Sequence, residues 1–208
     1  MNKIKFKDLF KVNRKHTNKS KMRKLFISTL LASFVFMLAA CGGGGDSAEQ
    51  TSDDTSMASA DDGVRTVELI GVDDLRFAVP EGGEGLVTEG SSGQFQILES
   101  IEASAGEELR INMRTVSNLP PTAMSHNFVL LTMDADADQF ARASIQAADN
   151  DYISPEYSEW VIVATEMLGD GESDSITFTV PEEPGTYQFI CTFPGHYSGG
   201  MVGTLVVS

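Results

Sequence analysis

From residue 64 onward the chain is broken into short runs of alternating or β-branched residues. They fall at 65–71, 94–98, 108–116, 127–132, 159–165, 174–180, 185–191 and 201–207. Turn-forming residues stand between most of them: Pro120-Pro121, Gly169-Asp170-Gly171, Pro184-Gly185 and Gly199-Gly200. Proline fixes its own φ and lacks an N–H, and glycine takes left-handed conformations that other residues avoid, so such pairs end strands. A strand that is apolar on one face must pack against a second sheet or close on itself. The spacing therefore predicts an all-β sandwich or barrel of about eight strands. One stretch departs from the pattern. Residues 136–148 (DADQFARASIQAA) set Phe140, Ala143, Ile145, Ala147 and Ala148 near helical spacing, which predicts a single short helix. Residues 76–94 (RFAVPEGGEGLVTEGSSGQ) are rich in Gly and Glu and read as an extended loop or loose hairpin.

Residues able to bind a metal are few, and most lie on one segment. The chain has two cysteines and three histidines; the β region holds Cys191, His126 and His196. CTFPGHYSGGM, from Cys191 to Met201, places a thiol, an imidazole and a thioether between two predicted strands. Cys191 ends one strand, His196 follows a Pro-Gly turn, and Met201 opens the next strand. His126, in SHNFVLL, begins a strand elsewhere in the sheet. Two imidazoles, a thiolate and a weak thioether are the donor set of a blue-copper centre. Each residue alone has an ordinary reading: His126 as a strand-end residue, His196 as a solvated loop residue, Cys191 as a small buried hydrophobe, Met201 as core. The four together point to copper.

MSHNFVL and CTFPGHYSGGM resemble the two copper-binding segments of the cupredoxins, particularly those of azurin and auracyanin type. GTYQFICTFPGH, with four residues between Cys191 and His196, is similar to azurins. GGMVGTLVV, with four residues between His196 and Met201, is nearer to plastocyanins and auracyanins. The likeness continues through DYISPEYSEWVIVATEMLGDGESDSITFTV and is weakest over 76–94. It implies a Greek-key β-sandwich or barrel with the helix in a flap, and one type 1 copper per chain. His126, Cys191 and His196 would form a trigonal plane, with Met201 axial. Ser125 stands where the family has a glycine whose carbonyl makes a weak axial contact. Asn127 matches the asparagine that ties the histidine strand to the cysteine loop. Thr192 and Phe193 would surround the sulfur, with the Phe193 N–H donating to it. Electrons would pass through a small apolar patch over His196, lined by Met124, Phe193, Pro194 and Tyr197, with Pro120 and Pro121 as further candidates. The disulfide typical of azurins is missing, so the fold depends more on its core.

The first 63 residues read as targeting and tether. Residues 1–24 hold ten of the fifteen Lys and Arg and one of the thirty acids, and LFISTLLASFVFMLAA follows. A basic region, a short apolar region and small residues make the pattern of an export signal. The apolar stretch is short of the about 20 residues a membrane span requires. Leu38-Ala39-Ala40-Cys41 resembles a bacterial lipobox, which implies cleavage before Cys41 and lipid on its sulfur. The Gly-, Ser- and Asp-rich residues that follow read as a flexible linker. The expected organisation is thus a signal peptide at 1–40, a lipidated cysteine and acidic linker at 41–63, and a cupredoxin domain at 64–208. Met22 offers an alternative start to Met1.

Beyond residue 40, five arginines and no lysine stand against 29 acids, a formal charge of −24. Such a surface repels nucleic acid and anionic headgroups and favours a basic partner. Structural zinc sites use four strong ligands rather than a weak thioether, and a dinuclear copper centre needs a second loop cysteine. The expected role is a monomeric, membrane-tethered electron carrier serving redox proteins such as a cytochrome with a basic docking face. It is expected to break no bond at its metal, so no enzyme activity is assigned. The alternative is sequestration of copper or its delivery to another cuproprotein, against which stands the lack of a His- or Met-rich tract.

Overall fold

A computed structural model describes residues 63–208; the expected signal peptide with its lipobox, and all but the last residue of the expected linker, lie outside the described residues. The strands are β1 (Arg65–Val72), β2 (Arg76–Val79), β3 (Leu86–Ser92), β4 (Phe95–Ala103), β5 (Glu108–Val116), β6 (Val129–Leu131), β7 (Val161–Ala164), β8 (Ser173–Thr179), β9 (Gly185–Ile190) and β10 (Val202–Val207). They form one sheet in the order β7-β6-β9-β10-β4-β2-β1-β5-β8, with β3 paired to β4 off that path. Neighbours are often distant in sequence: β1 runs parallel to β5 and β10 parallel to β4. These are the crossovers of a Greek-key barrel. The two ends of the order approach each other, because the Glu166 N–H beyond β7 donates to Asp174 Oδ2 in β8 at 3.0 Å. Among the described residues no helix is long and apolar enough to cross a membrane.

Alternation decides which side chains enter the barrel. Val67 and Leu69 of β1, Leu109, Ile111 and Met113 of β5, and Tyr187 and Phe189 of β9 belong to one buried cluster. Phe77, Phe128 and Phe189 form its aromatic centre; Phe189 lies 5.1 Å from each of the other two, ring centroid to ring centroid. Full burial of a side chain of this size is worth about 1.5–3 kcal/mol. A second cluster joins Val129 and Leu131 of β6 to the helix α1 (Ala137–Ser144) through Phe140, which is fully buried. Asp136 caps α1 by accepting the Gln139 N–H at 2.9 Å, and Arg142 pairs with Asp138 one turn earlier.

Three expectations need correction. Residues 76–94 are two strands rather than a loop or loose hairpin, so the sheet has ten strands instead of about eight. Phe77, Ala78 and Val79 of β2 are buried between β1 and β4. β3 pairs with β4 alone through two register shifts and is mostly exposed, which accounts for its Gly and Glu content. The helix is also shorter than 136–148. It ends at Ser144, and Ile145, expected on its apolar face, is 43% exposed. The strand expected at 159–165 begins only at Val161, because Pro155–Trp160 is a 3-10 turn.

Candidate metal centre

The centre is built where β9 and β10 end. Their ladder pairs Ile190 with Val202, and one step beyond it the Cys191 N–H donates to the Met201 carbonyl at 3.2 Å. Cys191 and Met201 thus face each other across a continuing ladder, while the residues between them loop out. Within the loop the His196 N–H donates to Phe193 O at 3.0 Å and the Met201 N–H to His196 O at 2.9 Å. Gly200 turns the chain at φ +97°, and the Arg76 guanidinium donates to the Gly199 carbonyl at 2.8 Å, clamping the loop to β2. His126 comes from the segment just before β6, the strand that pairs with β9 on the side away from β10. It exchanges two backbone hydrogen bonds with Leu168, at 2.9 and 2.8 Å. Gly71 of β1 backs its ring so closely that a Cβ there would lie 2.6–2.7 Å from three side-chain atoms of His126.

These segments bring four side chains together. Cys191 Sγ lies 3.5 Å from His196 Nδ1 and 4.0 Å from His126 Nδ1. Met201 Sδ lies 3.1 Å from His126 Nδ1. Cys191, His126 and Met201 are fully buried, and His196 is 4% exposed. Donor atoms at this separation can share one ion at bond lengths of about 2.0–2.3 Å, so the residues fit a copper with the donor set of a type 1 site.

The surroundings set the donors' protonation. Desolvation, and then the neighbouring His196, push the His126 pKa down to about 3. Desolvation alone pushes His196 to about 4, so both imidazoles are neutral with lone pairs available at neutral pH. Burial pushes the Cys191 thiol up to about 12, opposed by backbone N–H groups of Asn127 and Phe193 that donate to the sulfur. Those N–H groups are in place for a thiolate, which a cation would complete.

Asn127 is fully buried and ties three segments. Its Oδ1 accepts the Thr192 N–H at 2.8 Å, and its Nδ2 donates to Thr192 Oγ1 at 2.8 Å and to Asp151 O at 3.1 Å. Ser125 is buried and donates its hydroxyl to Pro121 O at 2.7 Å. Phe193 and Pro194 are half-buried, and the Phe193 ring lies 4.7 Å from that of His196. Tyr197 is half-buried and packs toward the α1 cluster. Met124 is 8% exposed, whereas Pro120 and Pro121 are exposed. The sequence reading did not find the Asn127 N–H donor, the Gly71 backing or the Tyr152 ring packed edge-on to Phe193 at 5.6 Å. Gly71 between Ile70 and Val72 was the one visible signal, since glycine within a strand often marks a close approach.

Comparison with known proteins agrees with this geometry. The family described as copper-binding proteins of the plastocyanin/azurin family matches residues 86–208. Auracyanin-B of Chloroflexus aurantiacus is 39% identical over 113 residues, which cover 52% of this chain and 45% of that protein. The chain therefore spans about half the length of that relative. Azurin of Pseudomonas aeruginosa is 39% identical over 103 residues, covering 49% of this chain and 68% of azurin. Among solved structures, dithionite-reduced auracyanin from Roseiflexus castenholzii superposes with a TM-score of 0.53 at 28% identity, covering 69% of this chain and 96% of that one. With four donors gathered at the end of a Greek-key barrel, and with the match extending through all the loop ligands, the chain belongs to the plastocyanin/azurin family of copper-binding proteins.

Proposed function

We propose that this protein is a membrane-tethered carrier of single electrons, in which His126, Cys191 and His196 would hold copper and Met201 would add a weaker fourth donor. The observation that carries the reading is the burial of all four donors in a frame fixed by strands on both sides. Copper bound there would supply a one-electron couple. The chain's own part is to hold the donors still, so that little reorganisation accompanies a change of charge. Ladder pairing fixes Cys191 and Met201, the Leu168 bridge fixes His126, and the Asn127 and Phe193 N–H groups orient the thiolate and reduce its basicity. Burial excludes water and leaves no open position for a substrate, which favours a carrier over an enzyme. Delivery needs donors that a partner can reach, and these are enclosed.

His196 is the donor with a residual exposed edge, and Phe193, Pro194, Met124 and Tyr197 are assigned as the apolar surround through which electrons pass. Redox encounters use small interfaces, and the acidic chain would steer a basic redox partner toward this one. The lipobox at Cys41 and the linker after it support attachment to the outer face of a bacterial membrane. Visible absorption after addition of Cu(II), beside Cys191→Ser, tests the centre. An intense blue thiolate-to-copper band that is lost in the variant is expected. A colourless wild type, or a spectrum indifferent to Cys191, refutes the carrier.

A further inference from the structure

Four buried side-chain polar atoms among the described residues have no hydrogen-bond partner: Arg65 Nη1, Thr132 Oγ1, His126 Nε2 and Asp73 Oδ1. The last two are an N–H donor and a carboxylate acceptor, and they belong to the same corner of the barrel. His126 turns Nδ1 toward Met201 and Cys191. A neutral imidazole that gives the lone pair of Nδ1 to a metal carries its proton on Nε2. That N–H is shut away from water, and a buried donor left unpaired is destabilising.

The end of β1 covers this side of the ring. The space beside the Gly71 Cα reaches within 2.7 Å of His126 Cδ2, the carbon bonded to Nε2. Asp73 follows two residues later, in the turn where the Leu75 N–H returns to Val72 O at 3.1 Å. Its Oδ2 accepts the Asn118 N–H at 3.2 Å, which anchors one oxygen of the carboxylate and leaves Oδ1 buried and unpartnered. The Asp73 carboxylate lies close enough for its charge to act on the His126 ring. Asp74, one residue on, is exposed and accepts the Ser92 hydroxyl instead.

Resting on the copper reading above, we propose that in the copper-loaded protein Asp73 becomes the positioning partner of His126, its unpartnered Oδ1 turning to receive the unpartnered Nε2–H and its negative charge making the imidazole a stronger donor to Cu(II). Metal-bound histidines commonly use a carboxylate in this way, and loss of such a partner typically costs 10–100-fold in metal affinity or activity. The charge favours the dipositive ion over the monopositive one, so removing it favours Cu(I).

The test compares Asp73→Asn with Asp74→Asn in the full, copper-loaded chain. Both variants remove one negative charge with little change of shape. Asp73→Asn is expected to move the Cu(II)/Cu(I) equilibrium about tenfold toward Cu(I), equivalent to about 59 mV for one electron, and to shift the His126 Nε2–H resonance of the Cu(I) form. Asp74→Asn is expected to change the equilibrium less than twofold and leave the resonance in place. The wild type supplies a readout that needs no variant: its Nε2–H should be resolved, downfield and slow to exchange. A blue wild type in which Asp73→Asn matches Asp74→Asn, or in which Nε2–H exchanges as fast as a free imidazole, overturns the role of Asp73 alone. A wild type with no blue band overturns the copper reading and this inference with it.

Discussion

Replacing Asn127 by Ala should destabilise the metal-free protein more than most single substitutions, and the structure gives the size. The side chain is fully buried and makes three hydrogen bonds. Its removal strands the Thr192 N–H and hydroxyl, since Thr192 is itself 1% exposed. Each buried group left unpaired costs about 1–3 kcal/mol. The Asp151 carbonyl belongs to a half-buried residue that water can reach, so it adds little. The sum is about 2–6 kcal/mol, a large share of the about 5–15 kcal/mol typical of a folded domain. Urea denaturation would show it as a lower midpoint with an unchanged slope, because the surface exposed on unfolding is nearly the same. A second readout is local: Thr192 follows Cys191 directly, so the Thr192 amide should lose hydrogen-exchange protection more than amides in β5. A midpoint change worth less than about 1 kcal/mol, or equal loss of protection throughout the barrel, would refute the view that Asn127 fastens the cysteine loop to the histidine strand.

Other outcomes follow from the same geometry. Because the Cys191 thiol is held near 12 and both histidines near 3 to 4, binding Cu(II) at neutral pH should release one proton. Apparent affinity in a competition titration should then rise about tenfold per pH unit between pH 5 and 8; a flat profile contradicts a protonated resting thiol. The depressed histidines also make the metal-free fold acid-sensitive. Unfolded imidazoles bind protons near 6.5 while the folded ones resist until about 3 to 4, so their stabilisation is complete above about pH 6.5 and is lost as pH falls. The slope approaches about 1.4 kcal/mol per unit for each histidine, measurable by denaturation at pH 7 and pH 4.5. Gly71→Ala would drive a methyl into the His126 ring, and is expected to cost about 1–3 kcal/mol by overpacking and to alter the blue band; a variant with native stability and spectrum would show that the ring has room to move.

Much of this could be read in the chain because its signals are local. Alternation in β5 and β9 reports a buried face wherever those strands pair, and the spacing from Cys191 to Met201 is set by one loop. The strands β2 and β3 were hidden for the opposite reason. β3 is an edge strand whose exposed faces tolerate Gly and Glu, so composition carries no trace of the pairing with β4. The end of α1 was equally obscure: Ile145, Ala147 and Ala148 continue a helical pattern, yet Phe140 already fills the contact with β6, and the next residues turn away. At the metal centre the donors were visible as residue types. The contacts of Gly71, Asp73 and Tyr152 were not, since they depend on which distant segments the barrel places side by side.

The ladder that continues from Ile190–Val202 to Cys191–Met201 divides the three donors of the last loop into two kinds. The separation of the two sulfur donors is measured out by the sheet, as the width of an antiparallel pair, and owes nothing to how many residues lie between them. His196 alone is placed by the loop's own turns. Insertions or deletions between Cys191 and Met201 would therefore act on a single donor, leaving the thiolate and thioether in register. The strands serve as a fixed gauge, and the loop is the adjustable part through which one coordinate of the centre can be altered without disturbing the others.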